Sequence, residues 1–212
     1  NPRKYVATIS DNTTTTYTDN LADAGLGAAM PNIDATAGSF YINGALAFYP
    51  GETTSYNFFA GLNAGLNSGG LATFNTGVGV SALKNNTSAS GNTAFGASAL
   101  TTTTTGSTND AFGFRTLYSN STGGNNTGLG SQALYRNLGH DNVGVGMNSE
   151  FGNNSGNYNT VVGSNAFRDG DSSHSDNVAM GYLVGLVTTT GSRNILIGSN
   201  VAATMTTGSD NI

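Results

Sequence analysis

Side chains able to perform acid–base or nucleophilic chemistry are few in this sequence. The two histidines are His140 and His174, and His140 is followed directly by Asp141. A neighbouring His and Asp do not make a catalytic triad, which needs a nucleophile close in space, and no Gly-x-Ser-x-Gly segment accompanies them. The absence of cysteine excludes thiolate nucleophiles, disulfide bonds and thiolate metal sites. The sequence therefore predicts no catalytic residues, and we expect that the protein is not an enzyme.

Carboxylates, which can hydrolyse glycosides or bind cations, are few in the sequence. They include Asp110, Asp141, Glu150, Asp169, Asp171 and Asp176. The densest acidic stretch, residues 168–176, lacks the ligand spacing of an EF-hand and its final glutamate, which favours a solvated loop over a calcium site. We therefore predict no metal site and no cofactor. Polysaccharide hydrolysis, which needs a pair of carboxylates, would require a trimer that brings carboxylates of different chains together.

Tyrosines in polar, turn-rich segments are the better candidates for binding. An exposed Tyr ring beside amide groups suits the face of a sugar, and the alternative is that these rings cover turn ends or pack between subunits. The candidate receptor contacts are Tyr118, Tyr135, Arg136, His140, Tyr158 and Asp171. If the turns stack along a rod, we expect these residues to form one lateral strip that binds a repetitive surface by multivalency.

The composition limits the elements that can position these residues. The 212 residues include 31 glycines, and only 9% of them are charged. Gly, Asn and Thr replace the Glu, Lys and Arg that line the solvent face of long helices, which favours an all-β fold. The net charge is −5 and the seven basic residues form no cluster larger than the pair Arg3 and Lys4, so we expect no nucleic-acid partner. No apolar run approaches ~18 residues, and we expect no membrane insertion by this segment.

An internal repeat organises most of the chain. Asn followed four residues later by Gly occurs in nine copies whose starts are 16 to 18 residues apart. The copies start at Asn57, Asn75, Asn92, Asn109, Asn126, Asn142, Asn159, Asn177 and Asn194. Units of this length predict the coils of a parallel β-solenoid, or β-roll. A tenth copy starts at Asn211 and is cut off at Ile212, so we expect the natural protein to continue.

Positions within a copy, counted from its Asn as one, predict the shape of a coil. The fourth position is always apolar, which predicts a strand with that side inward, while small residues at the third would let another subunit approach on the opposite face. Ala and Leu at the eighth and ninth predict a second strand. We expect the Asn residues to stack and the Gly residues to need a positive φ or lack room for a Cβ. These scaffold columns include Asn92, Gly96, Asn126, Gly130, Asn159, Gly163, Asn194 and Gly198.

Two regions are predicted along the chain. Residues 1–39 form an N-terminal linker or cap, in which residues 5–19 are similar to the last strands of a fibronectin type III module. Residues 40–212 form the solenoid array, with a degenerate copy at Phe40 and clear copies from Asn57. Because one chain supplies a thin core without disulfides, we expect self-association into a homotrimer.

The repeats resemble a known group. Asn92–Leu100, Asn126–Leu134 and Asn194–Asn200 look like the head repeats of trimeric autotransporter adhesins and the related shaft repeats of bacteriophage tail fibres. This resemblance implies a homotrimeric β-roll in an extracellular virion tail fibre, which extends the fibre and contacts a host cell-surface glycan or protein. The head of a bacterial adhesin on the cell surface is the alternative, and a polysaccharide-degrading tailspike is the third option.

Overall fold

The fold is seen in a computed structural model that describes residues 56–168 and 173–212, together with three earlier strands. The earlier strands are β1 (Ile33–Asp34), β2 (Ser39–Ile42) and β3 (Ala45–Tyr49). One strand of three residues follows in each copy of the repeat: β4 (Phe58–Ala60), β5 (Thr76–Val78), β6 (Thr93–Phe95), β7 (Asp110–Phe112), β8 (Thr127–Leu129), β9 (Val143–Val145), β10 (Thr160–Val162), β11 (Val178–Met180) and β12 (Ile195–Ile197). Within these described segments the fold is all-β and contains no helix.

The nine strands from β4 to β12 stack in parallel, each in register with the next. Thr93 of β6, for example, lies beside Asp110 of β7, seventeen residues later. Each copy of the repeat is therefore one coil of a parallel β-solenoid. The predicted fold class, a solenoid with coils of about 17 residues, is confirmed.

Antiparallel strands precede the parallel stack. Strand β1 pairs with β2, β2 with β3, and β3 with β4, all in the antiparallel direction. Phe40 lies in β2, so the parallel stacking begins at Phe58 rather than at the degenerate copy predicted around Phe40. The division of the chain at residues 39 and 40 stays a prediction, and the fibronectin-like segment lies outside the described residues.

The strands point their side chains in the direction opposite to the one we predicted. The third position faces the interior, where Ala94 and Ala111 are fully buried. The fourth position faces outward, where Phe112 is 38% and Leu129 50% exposed. The prediction that small third residues lie at a subunit contact was therefore wrong.

The reason for small residues at the third position is the leucine column at the ninth. Leu83, Leu100, Leu117 and Leu134 fill the interior of successive coils. A Cβ on Gly144, a third-position residue, would lie 2.8 Å from Cγ of Leu134. The interior is too narrow for large side chains at both positions, so the coils from Asn75 to Asn126 combine a small third residue with Leu at the ninth. The first coil reverses this arrangement, with the buried Phe59 at the third position and Gly65 at the ninth.

The predicted second strand is a series of turns. In the coil that starts at Asn92, Ser98 and Leu100 adopt positive φ angles of 60° and 49°. Their backbone N–H groups still donate to neighbouring coils, from Ser98 to the Val80 carbonyl at 2.8 Å and from Leu100 to the Thr116 carbonyl at 3.1 Å. Alternating left-handed residues therefore bend the chain without ending its pairing, and burial of the Leu side chain offsets their strain.

The repeated Gly and Asn fix the remaining geometry of the coil. Gly130 has a φ of 133°, and a Cβ there would lie 2.6 Å from the Gly146 carbonyl oxygen. The buried Asn126 donates from its backbone N–H and from Nδ2 to Oδ1 of Asn109, both at 3.0 Å, and from Nδ2 to the Gly139 carbonyl at 2.9 Å. Corresponding bonds join the repeat asparagines from Asn57 to Asn211. This ladder keeps the backbone amides of the interior satisfied.

A second polar column occupies the twelfth position, and the sequence analysis did not identify it. Its buried asparagines are Asn86, Asn120, Asn137 and Asn153. Asn153, for example, accepts from the Gly156 N–H at 2.7 Å and donates to the Gly156 carbonyl at 3.1 Å, which closes a turn. The signal was present as an Asn eleven residues after the first Asn of several copies.

Candidate functional site

A ladder of aromatic rings lies on the outside of the rod at the tenth position. Tyr118 stacks on Tyr135 with ring centroids 5.2 Å apart, and Tyr135 stacks on Phe151 at 4.7 Å, with both pairs within 5° of parallel. The ring spacing follows the rise of ~4.8 Å from one coil to the next, because these residues occupy the same position in successive coils. All three rings are half-buried and keep part of their surface in solvent. We call these three residues the aromatic ladder.

Arginine covers the Tyr118 end of the ladder. The Arg115 guanidinium carbon lies 5.7 Å from the centroid of the Tyr118 ring and 5.0 Å from that of Phe114. Both distances fit a cation–π contact. The ladder therefore has a cationic group at this end, and Phe151 is its last ring at the other end.

A depression of about 250 Å³ lies at the Phe151 end of the ladder. It is lined by Gln132, Asn148, Phe151 and Arg168. Gln132 and Asn148 are the seventh residues of adjacent coils, and both have positive φ angles. Nδ2 of Asn148 donates to Oδ1 of Asn165 at 3.0 Å, while Oδ1 of Asn148 is buried without a hydrogen-bond partner. The depression thus combines an aromatic ring, two amides, one of which has an unused acceptor, and a guanidinium group.

Apart from Asp110 in strand β7, the exposed charges among the described residues lie on two edges of the rod. Lys84, Arg115, Arg136 and Arg168 lie at the seventh, tenth or eleventh positions, beside the aromatic ladder. We call these positions, with the ladder and the depression, the aromatic edge. No exposed acidic side chain occupies it among residues 56–168 and 173–212.

A second edge is formed by the residue directly before each repeat asparagine, and we call it the acidic edge. Asp141, Asp176 and Asp210 lie there, and Arg193 forms an ion pair with Asp210 in which Nε is 2.6 Å from Oδ1. This contact holds the pKa of Asp210 below its usual value. The one basic residue of this edge is therefore neutralised by its neighbour in the next coil.

The predicted receptor contacts do not form one strip. Tyr118, Tyr135 and Arg136 come together on the aromatic edge, whereas Tyr158 is exposed on the acidic edge. His140 is held in the stack of turns, where its Nδ1 accepts from the Gly124 N–H at 3.0 Å and its own N–H donates to Oδ1 of Asn157 at 2.7 Å. Asp171 lies outside the described residues. Receptor binding by all six residues stays a prediction.

The sequence analysis missed four residues of the aromatic edge, namely Gln132, Asn148, Phe151 and Arg168. A signal for Phe151 and Arg168 existed, because both follow the ninth position directly, as Tyr118 and Tyr135 do. Gln132 and Asn148 gave no signal, because only the left-handed turn shows that the seventh and tenth side chains line the same depression.

Two titratable residues lie in the interior, and the sequence analysis predicted burial for neither of them. Glu150 stands at the ninth position, where the four preceding coils carry Leu, and its Oε1 accepts from Nδ2 of Asn153 at 2.7 Å. His174 is also fully buried, with its Nδ1 3.9 Å from Oε1 of Glu150 and its ring centroid 4.6 Å from that of Phe167. Oε2 of Glu150 and both ring nitrogens of His174 have no hydrogen-bond partner.

Burial determines the protonation of this pair. Desolvation raises the pKa of Glu150 to about 8, and the hydrogen bond from Asn153 opposes that rise. Desolvation also lowers the pKa of His174 to about 4. At neutral pH the two groups are therefore mainly a carboxylic acid and a neutral imidazole. Since both side chains are sealed from solvent, they have no surface on which a substrate could meet them.

The described part of the chain offers neither a metal site nor a membrane-spanning helix. There, no three His, Asp or Glu side chains come together in a way that could hold a metal ion. Nor does that part contain a helix long and apolar enough to cross a membrane. Comparisons with protein-family models, with curated proteins and with solved structures gave no match.

Proposed function

We propose that this chain is a non-enzymatic structural and adhesive segment of a trimeric bacteriophage tail fibre, which extends the fibre outside the virion and contacts host-surface glycans. The repeat pattern resembles fibre and adhesin repeats, and the parallel solenoid supplies an elongated scaffold. The observation that carries the proposal is an exposed apolar column at the fourth position of every coil. That column gives the chain a face suited to self-association.

The apolar column consists of Ala60, Val78, Phe95, Phe112, Leu129, Val145, Val162, Met180 and Ile197. Several of its side chains are strongly exposed, and Phe95 stacks on Phe112 with ring centroids 5.6 Å apart. Nine coils rising ~4.8 Å each give a face roughly 40 Å long and about 10 Å wide. The resulting area of about 400 Å² lies in the range of the largest apolar patch on a typical monomer, and such patches are often functional.

Another copy of the same chain is the partner that fits this column best. The apolar side chains recur once per coil, so a partner must present groups with the same axial spacing to fill the gaps along the whole rod. A second copy has this spacing in every coil. Three copies around an axis along the rod would bury all three of these columns.

The aromatic edge supports the adhesive part of the proposal. It occupies the seventh to eleventh positions, whereas the column occupies the fourth, so association through the column leaves the ladder residues Tyr118, Tyr135 and Phe151 on the outside. Aromatic rings offer an apolar face to a sugar ring, while amides and guanidinium groups can hydrogen-bond to its polar groups. Three such edges on a trimer would combine weak contacts by multivalency.

Light scattering and host-cell adsorption test the two parts of the proposal. We expect the wild-type chain to behave as a particle of three times 21.4 kDa. The double variant Phe112→Glu and Leu129→Glu places charges in the column and should be monomeric, while Thr105→Glu, on an exposed turn, should remain trimeric. A wild-type monomer at micromolar concentration would refute the trimer, and wild-type trimers that adsorb to no host cell would refute the adhesive role.

A further inference from the structure

We propose that a slot on the acidic edge, between the side chains of Phe74 and Thr108, binds one neutral hexose ring of a host-surface polysaccharide. The inference rests on the proposed adhesive function, and it specifies both the ligand and the place where the ligand binds. The slot exists because Gly91, which stands between Phe74 and Thr108 on this edge, has no side chain. Its walls are therefore the side chains of Phe74 and Thr108, and its floor is the Gly91 backbone.

Backbone pairing places these three residues in line along the rod. The Gly91 N–H donates to the Thr73 carbonyl at 2.9 Å, and the Thr108 N–H donates to the Ser90 carbonyl, also at 2.9 Å. Phe74, Gly91 and Thr108 have φ angles of 59°, 69° and 57°. Because the backbone conformation is the same in all three coils, the side chains of Phe74 and Thr108 leave the rod in the same direction. The missing side chain of Gly91 therefore leaves a gap one coil high.

One face of the Phe74 ring is covered, and the other is open toward this gap. The Tyr56 ring stacks on Phe74 from the preceding coil, with ring centroids 5.4 Å apart and planes within 4° of parallel. Phe74 is nevertheless 66% exposed. On the opposite wall, Oγ1 of Thr108 donates to Oδ1 of Asn125 in the next coil, while a Cβ on Gly91 would lie 3.3 Å from Cγ2 of Thr108. The slot thus has one aromatic wall and one methyl wall.

The height of the slot suits one ring. Phe74 and Thr108 are two coils apart, which corresponds to ~9.6 Å at a rise of ~4.8 Å per coil. Carbon atoms in contact lie ~3.5–4 Å apart, so one ring that contacts both walls needs ~7–8 Å between them. The lean of the Thr108 methyl group toward Gly91 takes up part of the remainder. A second stacked ring would need a further ~3.5 Å and does not fit.

Two apolar walls and an open rim match a hexopyranose whose substituents are all equatorial. Such a ring has C–H groups on both faces and hydroxyl groups around its edge. The faces can therefore contact Phe74 and the Thr108 methyl group while the hydroxyl groups stay in water. An axial hydroxyl group, as in mannose, would point at one wall and lose hydrogen bonds to water. We therefore expect rings of the glucose type to bind better than rings of the mannose type.

The charges around the slot disfavour an anionic ligand. Arg193 is the one basic residue of the acidic edge among the described residues, and it is paired with Asp210. Asp110, which follows Thr108 by two residues, adds an exposed carboxylate near the slot. A ligand with carboxylate or phosphate groups would find no described cation there. This arrangement favours a neutral sugar and disfavours nucleic acid.

Two neutral hexasaccharides test the inference on the intact chain. Cellohexaose and mannohexaose have the same β-1,4 linkage and the same length, and they differ in the orientation of the hydroxyl group at C2. By biolayer interferometry, we expect cellohexaose to bind about fivefold more tightly than mannohexaose, equally at low and high salt. Phe74→Ala should weaken cellohexaose binding about tenfold, because it removes the aromatic wall.

A variant that fills the slot tests its geometry. Gly91→Phe would continue the stack of Tyr56 and Phe74 into the space of the ligand and should abolish cellohexaose binding. Gly91→Ala imposes the same positive φ on a residue with a Cβ but leaves the slot open, so its affinity should stay close to that of the wild type. Since Phe74 and Thr108 adopt this conformation in neighbouring coils, both variants should fold, which melting curves check.

Matched substitutions serve as controls for Phe74→Ala. Phe74→Tyr keeps the ring and should bind like the wild type. Tyr158→Ala removes an exposed ring from the same edge, outside the slot, and should leave binding unchanged. Light scattering on each variant shows whether Phe74 contacts another subunit instead of a sugar, because its replacement by Ala would then reduce the particle mass.

Several results would overturn the inference. They are binding of neither hexasaccharide, equal binding of both, equal binding by Gly91→Phe and Gly91→Ala, equal losses for Phe74→Ala and Tyr158→Ala, a smaller particle for Phe74→Ala, or tighter binding of a phenylalanine-containing hexapeptide. Adsorption to host cells separates this inference from the proposed function. Wild-type and Gly91→Phe trimers that adsorb equally well would retain the adhesive function and reject the slot as its site.

Discussion

Replacement of Glu150 by leucine is expected to stabilise the protein and to remove part of its pH dependence. Glu150 occupies the ninth position, where Leu134 and three earlier leucines fill the interior, and its Oε2 is buried without a partner. Leu at this position would continue the apolar column and remove a group that burial keeps from ionising. The gain in the free energy of unfolding should depend on pH, because the destabilisation by the buried Glu150 carboxyl group depends on pH.

The pKa shifts give the direction and the approximate size of the effect. The pKa of Glu150 rises from 4.5 to about 8. Its favourable contribution to the free energy of unfolding is therefore complete below pH 4.5 and is lost as the pH rises through 8. The pKa of His174 falls from 6.5 to about 4, so its contribution is complete above pH 6.5 and is lost as the pH falls through 4. Between pH 4.5 and pH 6.5, Glu150 and His174 therefore change the free energy of unfolding in opposite directions as the pH rises.

Above pH 6.5, of these two residues only Glu150 still makes the free energy of unfolding depend on pH. With ~1.4 kcal/mol for each pH unit, the wild-type free energy of unfolding should fall by about 2 kcal/mol between pH 6.5 and pH 8. The Glu150→Leu variant should lose this fall and should exceed the wild type by roughly 2–4 kcal/mol at pH 8.

Urea unfolding at fixed protein concentration measures the effect, because association would otherwise shift the apparent stability. Glu150→Gln is the matched control: its amide oxygen can still accept from Asn153 but cannot ionise, so the slope should vanish without the gain of an apolar side chain. Equal slopes for wild type, Glu150→Gln and Glu150→Leu above pH 6.5 would refute the reasoning.

Two further substitutions test the scaffold columns. Gly130→Val should lower the free energy of unfolding by about 2 kcal/mol or more, because the new Cβ would meet the Gly146 carbonyl and the φ of Gly130 is positive. The control Ser121→Ala, in a turn, should cost little. Equal thermal midpoints for the two variants would contradict this. Asn126→Ala removes the acceptor of the buried Asn142 N–H and should lower the free energy of unfolding, measured in urea, by roughly 2 kcal/mol or more. A loss under ~0.5 kcal/mol would show that the asparagine ladder contributes little.

The fold was predictable because its scaffold repeats. Asn at the first position and Gly at the fifth recur in nine copies, and each has a geometric reason: the ladder bonds of Asn126 and the lack of room at Gly130. A feature that every coil needs appears in every copy, so a single sequence contains its own alignment. The register and length of the coils followed from it.

The direction of the side chains was not predictable in the same way. Alternation of apolar and small residues shows that the two faces of a strand differ, but it does not show which face points into the interior. At the third and fourth positions the more apolar side is outside, since the interior is narrow and the ninth residue fills it. Ala94 and Phe95 illustrate the inversion: Ala94 is fully buried and Phe95 is 42% exposed.

The candidate site was predictable only in part, because it joins positions that are distant within each coil. Tyr118 and Tyr135 were singled out by residue type, and their stacking follows from their shared tenth position. The depression also needs Gln132 and Asn148 from the seventh position, which reach it through left-handed residues that no propensity rule predicts for Gln.

The buried pair shows that departures from the repeat are coupled through space. His174 stands where most copies have Gly, and its carbonyl still accepts from Nδ2 of Asn159 at 2.8 Å, as the glycine carbonyls do for other asparagines. Its backbone therefore keeps the scaffold role, while its side chain fills interior space beside Glu150, which replaces a leucine. With 3.9 Å between them, each polar group reduces the apolar surroundings of the other. Changes at the two positions should therefore be non-additive in stability, unlike changes in separate outward columns.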